Sequence, residues 1–170
     1  MNLTQGLVGK LNSIQISVKE ADYKKCGYHL EVTLSSGQVR DFAKMMRDDN
    51  FYLDFVTAVH VKPFFQVVYQ FGHFDQACRV NAKAIASKDD SIATISDIFQ
   101  GANWHERETH DFYGVTFIGH PDLRTLILSE EDADLKPLLK NEDKLVGIEE
   151  ITRKTGDDAE KKPEKTKLEE

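Results

Sequence analysis

The run "FYLDFVTAVHVKPFFQVVYQFGHFDQACRVNAKAIA", residues 51–86, decides the fold. It holds three segments of strand length that are rich in aromatic and β-branched residues: "FYLDFVTAVHV" (51–61), "FFQVVYQF" (64–71) and "CRVNAKAIA" (78–86). Pro63 stands where a turn between the first two segments would fall. The run therefore predicts three strands of a largely antiparallel sheet.

The chain before this run supplies further elements. A short helix is predicted in "LTQGLVGKL" (3–11), and alternating residues predict strands in "SIQISV" (13–18) and "GYHLEVTLSS" (27–36). A helix should follow in "SSGQVRDFAKMMRDDN" (35–50), because its apolar side chains recur at helical spacing. Ser36 is the candidate cap of that helix.

The chain after the run predicts two helices. Thr94, with Asp97 three residues on, is typical of a helix N-cap, and predicts a short helix over "ISDIFQ" (95–100) that stops at Gly101. A second helix should begin in "NWHERETHDFYG" (103–114). Together these elements predict an α+β fold, with a mostly antiparallel sheet and helices packed on one face.

Composition predicts how the chain is divided. We expect an α+β domain over 1–127, an extended partner-binding segment over 128–151, and a charged flexible tail over 152–170. The tail "TRKTGDDAEKKPEKTKLEE" mixes acidic and basic side chains and has no aromatic residue. Such a segment buries too little apolar surface to offset its ordering entropy.

Charge and hydropathy exclude several classes of protein. A net charge of -7 and a pI near 5.4 argue against a nucleic-acid partner, which needs clustered Lys and Arg. Apolar runs such as "FVTAVHV" (55–61) fall far short of the roughly 20 residues that cross a bilayer. Cys26 and Cys78 show no spacing typical of a disulfide framework or a metal site. We expect a soluble chain on the cytoplasmic side.

The segment "NWHERETHDFYG" resembles a zinc-protease helix at first sight. In the pattern H-E-x-x-H, histidines four residues apart reach one Zn²⁺ from the same helix face. His105 and His110 are five apart, which at about 100° per residue separates them by roughly 140° around a helix. The spacing therefore argues against zinc catalysis.

The same helix carries many charges. Glu106 with His110, and Arg107 with Asp111, are spaced i,i+4, so a solvated helix with surface ion pairs is one interpretation. Trp104 at the start of the charged run favours another interpretation, a docking surface, because Trp and Arg are common anchors of protein interfaces.

A rigid turn follows this helix. Gly119 permits a tight backbone, and Pro121 disfavours helix at His120. The turn should hold the side chains of Asp122 and Arg124 in place rather than leave them mobile. This strengthens the docking interpretation.

The run "NWHERETHDFYGVTFIGHPDLRTLIL" (103–128) closely resembles the signature of the 30 kDa hydrophilic subunit of respiratory complex I. This family includes the homologous subunit of energy-converting NiFe hydrogenases. The resemblance covers roughly residues 28–140. The residues at signature positions are Glu106, Arg107, Glu108, Asp111, Gly114, Phe117, Gly119, His120, Pro121, Asp122, Leu123 and Arg124.

The resemblance implies a non-catalytic subunit of the peripheral arm of an ion-translocating redox complex, on the cytoplasmic side of the cell membrane. It implies no cofactor in this chain, with iron-sulfur clusters and a flavin or NiFe centre in partner subunits. Its partners would be the large subunit that resembles the hydrogenase large subunit at the quinone site, and the subunit with the terminal iron-sulfur cluster. Membrane contact would be made only through the complex. The implied interface residues are Trp104, Glu106, Arg107, Glu108, Asp111, Gly114, His120, Pro121, Asp122 and Arg124.

The segment after the signature departs from the complex I pattern. In "SEEDADLKPLLKNEDK" (129–144), Lys136, Leu139 and Asn141 replace the family's His, Arg and Asp, and the Tyr-Pro pair is missing. This version looks closer to that of the energy-converting hydrogenases, so both types of complex stay open.

Two alternatives come from other classes. A stand-alone hydrolase would use Glu106 or Glu108 with His105 or His110 as an acid-base pair. A small adaptor unrelated to respiration would use the same Glu/His cluster for binding and would show no membrane association.

Overall fold

A computed structural model describes residues 3–87, 89–140 and 145 of the 170-residue chain. The predicted tail over 152–170 lies outside the described residues, and the predicted partner-binding segment over 128–151 is described only to residue 140 and at residue 145. In this described part, no helix is long and apolar enough to span a membrane.

The fold is α+β, as the sequence predicts. The strands are β1 (Ser17–Glu20), β2 (Leu30–Leu34), β3 (Phe51–His60), β4 (Phe65–His73), β5 (Arg79–Ile85), β6 (Ser91–Ala93) and β7 (Thr116–Ile118). The helices are α1 (Leu3–Ser13), α2 (Tyr23–Cys26), α3 (Val39–Asp48) and α4 (Ala102–Tyr113), with 3₁₀ turns at Ser36–Gln38 and Glu130–Asp132.

Five strands form one sheet in the order β1-β2-β5-β4-β3. The three strands of the 51–86 run pair antiparallel, and β1 pairs antiparallel with β2, so the mostly antiparallel sheet is confirmed. The pairing of β2 with β5 is parallel, with Leu30 opposite Val80. Between these two strands the chain passes through α3, β3 and β4, and this crossover leaves no local signal in the sequence.

The helices cover one face of this sheet. Alternate residues of a strand point to the same face, so Phe65 and Phe71 of β4 share a side. Phe42 of α3 contacts Phe71 edge-on at 5.7 Å, and Tyr113 of α4 lies 6.3 Å from Phe65 between ring centroids. The predicted packing of helices on one face is therefore confirmed.

The predicted helix over 95–100 is wrong. Residues 96–98 form a turn, closed by the Phe99 N–H donating to the Ile95 carbonyl at 2.9 Å. The hydroxyl of Thr94 does accept from the Ser96 N–H at 3.1 Å, but Asp97 forms an ion pair with Arg40 of α3 at 2.7 Å. Thr94 therefore caps a turn, as its sequence signal indicates. No helix follows this cap, and Asp97 pairs with Arg40 instead.

Three smaller features differ from the sequence-based expectations. The cap before α3 involves Ser35 rather than Ser36, since the Ser35 N–H donates to Gln38 Oε1 at 2.9 Å. The short helix α2 lies between the predicted strands over 13–18 and 27–36, where no helix was predicted. The parallel pair β6 and β7 was not predicted, because each strand has only three residues.

Candidate docking site

Helix α4 places the predicted site against the sheet. It begins at Ala102 and ends at Tyr113, where Gly114 takes the left-handed conformation at φ +82° and donates its N–H to the His110 carbonyl at 2.9 Å. Its Thr109 hydroxyl approaches the Val56 carbonyl of β3 at 3.4 Å. One side of a highly charged helix therefore lies inside the protein.

Glu106 is fully buried on that side, with 0% of its surface exposed. Its carboxylate accepts the Ile95 N–H at 2.9 Å and the Thr94 hydroxyl. Burial raises the pKa of Glu106 to about 7, although these hydrogen bonds lower it. Glu106 is an internal residue that holds the turn after β6 to α4, and it is not part of a solvated face.

His120 joins the Gly-His-Pro turn to the same place. Its Nδ1 accepts the Asp122 N–H at 3.1 Å, so in the neutral ring the proton lies on Nε2. That Nε2 lies 3.3 Å from the Asn103 carbonyl and 3.9 Å from the Glu106 carboxylate. His120 therefore connects the turn, with Gly119 at φ +83°, to the start of α4.

Asp111 binds the next segment of chain. One carboxylate oxygen accepts the N–H groups of Leu126 and Ile127 at 2.8 Å and of Leu128 at 3.2 Å. Burial alone raises the pKa of Asp111, but the three backbone hydrogen bonds outweigh it and the pKa is lowered. Asp111 thus fixes the path of residues 126–128.

Arg107 does not form the expected ion pair with Asp111. Its guanidinium donates to the carbonyl of Arg124 at 3.0 Å and to that of Thr125 at 2.7 Å. It also lies 5.7 Å from the centre of the Trp104 ring, within the range of a cation-π contact. We call Glu106, Arg107, Asp111 and His120 the brace, because together they hold three segments against α4, namely the turn after β6, the Gly-His-Pro turn and residues 124–128.

The other predicted site residues remain accessible. Trp104 is 61% exposed and Pro121 is exposed, while Glu108 is half-buried. Asp122 and Arg124 form a two-bond ion pair at 2.7 and 2.9 Å, and this hydrogen bonding lowers the pKa of Asp122 to about 2. We call these five residues the docking surface.

Sequence reasoning missed three residues that belong with the site. Thr94 was interpreted only as a cap, yet its hydroxyl binds Glu106. Ile118 and Ile127 are 59% and 57% exposed and add apolar area near the turn. No local signal in the sequence distinguishes such exposed isoleucines from core ones.

Gly114 and the segment that follows the signature meet at the end of α4. The side chain of Lys136 lies 3.6 Å from the position of a Cβ on Gly114. The Leu138 N–H donates to the Phe112 carbonyl at 3.1 Å, so residues 136–138 return to α4. Whether this segment binds a partner stays a prediction.

A groove of about 330 Å³ lies between α4 and β3. It is relevant to the hydrolase alternative, because a hydrolase needs a cleft lined by its acid-base pair. His105 and Glu108 both line it, whereas Glu106 is enclosed elsewhere and His110 Nδ1 is 2.9 Å from the Val115 carbonyl. Across residues 3–87, 89–140 and 145, no group of three or more His, Cys, Asp or Glu side chains is placed to hold a metal ion. Of the predicted acid-base pairs, the structure therefore brings only Glu108 and His105 to one groove, and Glu106 lies outside it.

Comparison with known proteins identifies the family. Residues 32–144 match the family model described as respiratory-chain NADH dehydrogenase, 30 Kd subunit. The chain belongs to this family. The sequence-based prediction of the 30 kDa subunit family is thus confirmed.

Curated relatives in the 30 kDa subunit family are NADH-quinone oxidoreductase C subunits. The one from Roseiflexus castenholzii is 34% identical over 130 residues, which is 72% of this chain and 73% of that protein. The one from Mesorhizobium japonicum is 32% identical over 133 residues, which is 74% of this chain and 61% of that protein. A shorter match, from Xanthobacter autotrophicus, is 42% identical over 77 residues and spans 45% of this chain but 36% of that protein.

Solved structures share the fold. A chain from the membrane-bound sulfane sulfur reductase, an archaeal respiratory membrane complex, superposes with a TM-score of 0.69 at 23% identity, covering 96% of this chain and 98% of that one. A trypsin-resistant fragment of Nqo5 gives a TM-score of 0.59 at 21% identity, covering 71% of this chain and 98% of that fragment. At these identities the likeness concerns the fold.

Proposed function

We propose that this chain is a non-catalytic subunit of the peripheral arm of a membrane-associated, ion-translocating redox complex, and that it is needed for assembly. The observation that carries the proposal is the brace, because four charged or titratable side chains of the family signature are used inside the chain to hold a surface in place. Membership of the 30 kDa subunit family supports it.

The docking surface has the chemistry of a protein interface. Trp104 presents a large exposed ring, and the Asp122–Arg124 pair presents charged groups already held in one geometry. His120 binds the backbone of Asp122, Arg107 binds that of Arg124, and Trp104 lies in helix α4, so little backbone entropy remains to be lost on binding. A preorganised surface of this kind suits stable docking to another subunit.

The proposed partners are the large subunit that resembles the hydrogenase large subunit at the quinone site, and the subunit that holds the terminal iron-sulfur cluster. In this proposal iron-sulfur clusters and a flavin or NiFe centre belong to partner subunits, and this chain carries no active site. It reaches the cytoplasmic side of the cell membrane only through the complex.

Two substitutions on the docking surface test the proposal. Trp104→Ala and Glu108→Lys should each reduce the amount of this chain that co-purifies with the complex from detergent-solubilised membranes, while the purified variants keep the wild-type circular dichroism spectrum. Interface anchors of this type commonly cost about 2 kcal/mol or more, roughly a thirtyfold loss of affinity.

Matched controls lie outside the docking surface. Phe74, which is 66% exposed, is changed to Ala, and Asp41, whose side chain is 86% exposed on α3, is changed to Lys. Both controls should assemble normally. Normal assembly of the Trp104→Ala and Glu108→Lys variants would contradict the docking role.

The type of complex is decided by what co-purifies. Nickel with an iron-sulfur subunit identifies an energy-converting hydrogenase, whereas flavin and iron without nickel, with oxidation of NADH, identify a complex I. Recovery of the chain alone, from the soluble fraction, would refute the proposal and favour the adaptor alternative.

A further inference from the structure

A second cavity, of about 350 Å³, lies apart from the docking surface and the brace. It is formed where α2 and the end of β4 approach the starts of β3 and β5, and it shares no lining residue with the docking surface. The residues that define its chemistry are Tyr23, His29, Tyr52, Gly72, His73 and Arg79.

Flat rings form the walls of this cavity. The rings of Tyr23 and His29 are stacked, with centroids 4.6 Å apart and an angle of 22° between planes. The Tyr52 ring lies against bare backbone, since a Cβ added to Gly72 would overlap its hydroxyl. The faces of Tyr23 and His29 that meet are occupied by each other, but Tyr23 is 45% exposed, so a planar ligand can stack on the outer face of this pair.

Both histidines present a hydrogen-bond donor. His29 Nδ1 accepts the Arg79 N–H at 3.0 Å, and His73 Nδ1 accepts the N–H groups of Asp75 and Gln76 at 3.0 and 3.1 Å. A nitrogen that accepts a hydrogen bond carries no proton, so Nε2 carries it in each neutral ring. The backbone thus sets the tautomer of both rings, and Nε2–H is the donor that each neutral ring can offer to a ligand.

Arg79 supplies the positive charge of the lining. Its side chain is 41% exposed and forms an ion pair with the Asp54 carboxylate at 3.6 Å, a distance longer than a hydrogen bond. Among the described residues that line the cavity there is no Asp or Glu, and Asp54 lies outside this lining. A carboxylate ligand therefore competes with Asp54 for the Arg79 guanidinium.

We propose that this cavity binds a planar aromatic group that bears a carboxylate. The ring stacks on the outer face of the Tyr23–His29 pair, and the carboxylate accepts from Arg79 and the two Nε2–H groups. Two sources present this chemistry, namely a free aromatic acid and a protein chain that ends in an aromatic residue. The site stands independently of the proposed role in a redox complex.

The test uses the full chain and two probes. 2-Naphthoate represents the free acid, and a short peptide ending in Trp with a free carboxylate represents the chain terminus. Binding is followed by NMR of ¹⁵N-labelled histidines, where the signals of His29 and His73 should move and those of His105 and His110 should not. The neutral analogues are 2-naphthamide and the amidated peptide, and both should bind about tenfold more weakly or worse.

Variants decide whether the cavity is responsible. Arg79→Gln should weaken binding about tenfold or more by removing the charged donor, and Gly72→Ala should weaken it by displacing Tyr52. Arg47→Gln is the matched control, because Arg47 is an exposed arginine of α3 outside the cavity, and it should bind as wild type.

The site is supported if either probe binds the wild-type chain and loses affinity in Arg79→Gln. The probe that binds more tightly identifies the source of the ligand. The proposal is overturned if neither probe shifts His29 and His73 at millimolar concentration. It is equally overturned if Arg79→Gln binds the carboxylates as tightly as the wild-type chain.

Discussion

Glu106 should make the stability of the protein fall as the pH rises through the neutral range. Its pKa is about 7 in the folded chain and 4.5 in the unfolded reference. Between these two values the folded state holds a proton that the unfolded state has released, so the free energy of unfolding decreases with increasing pH. The difference between the two pKa values corresponds to a loss of about 3 kcal/mol from roughly pH 4 to pH 8.

The informative perturbation is Glu106→Gln. In the wild-type chain the Ile95 N–H and the Thr94 hydroxyl donate to different carboxylate oxygens of Glu106. Glutamine keeps a carbonyl oxygen for the Ile95 N–H, its amide NH₂ group can donate to the Thr94 hydroxyl oxygen, and it carries no charge to bury. The variant should therefore match wild type near pH 4.5 and be more stable than wild type by up to about 3 kcal/mol at pH 8.

The assay is urea unfolding, followed by circular dichroism at intervals from about pH 4.5 to 8.5, with the m-value checked at each pH. The control is Glu108→Gln. It also removes a carboxylate from α4, but this carboxylate is only half-buried. It should keep the pH dependence of wild type. If the free energy of unfolding of Glu106→Gln depends on pH as strongly as that of wild type, the account of this buried carboxylate is refuted. It is also refuted if the free energy of unfolding of wild type does not fall between about pH 4.5 and 8.

Three further perturbations test the brace and the core. Asp111→Asn should destabilise the protein by about 1–3 kcal/mol and speed hydrogen exchange of the amides of residues 126–128, because a neutral group binds them less well. Since the pKa of Asp111 is lowered, its contribution should be present at neutral pH and be lost as the pH falls below about 4, which acid titration of the same exchange rates can check. Gly114→Ala should cost about 1 kcal/mol in thermal or urea unfolding, because φ is +82° there. Phe42→Ala should cost about 3–5 kcal/mol, since it removes a fully enclosed ring that packs on Phe71, and a smaller loss would show that the core closes over the gap.

The long elements were predictable from the sequence because their signals are local. Each of the three strands in 51–86 alternates or clusters β-formers over seven to ten residues, and α4 has a clear glycine stop at Gly114. The failures concern short or long-range features. Residues 95–100 carry a helix cap but too few residues to propagate a helix, and the parallel pair β6 and β7 depends on chain segments 25 positions apart.

The sequence by itself determined the family and the types of secondary-structure element. The signature over 103–128 and the strand patterns both consist of consecutive residues, so they can be recognised without the fold. Only the tertiary structure decided which charges of α4 are inside. Glu106 and Asp111 are fully buried, while Glu108, on the same helix, remains accessible. A helix whose charged residues lie on several sides does not indicate by periodicity which side packs on a sheet. That choice depends on distant partners, namely the Ile95 amide for Glu106 and the amides of 126–128 for Asp111. These hydrogen bonds outweigh the cost of burying the carboxylate at Asp111 and only reduce that cost at Glu106.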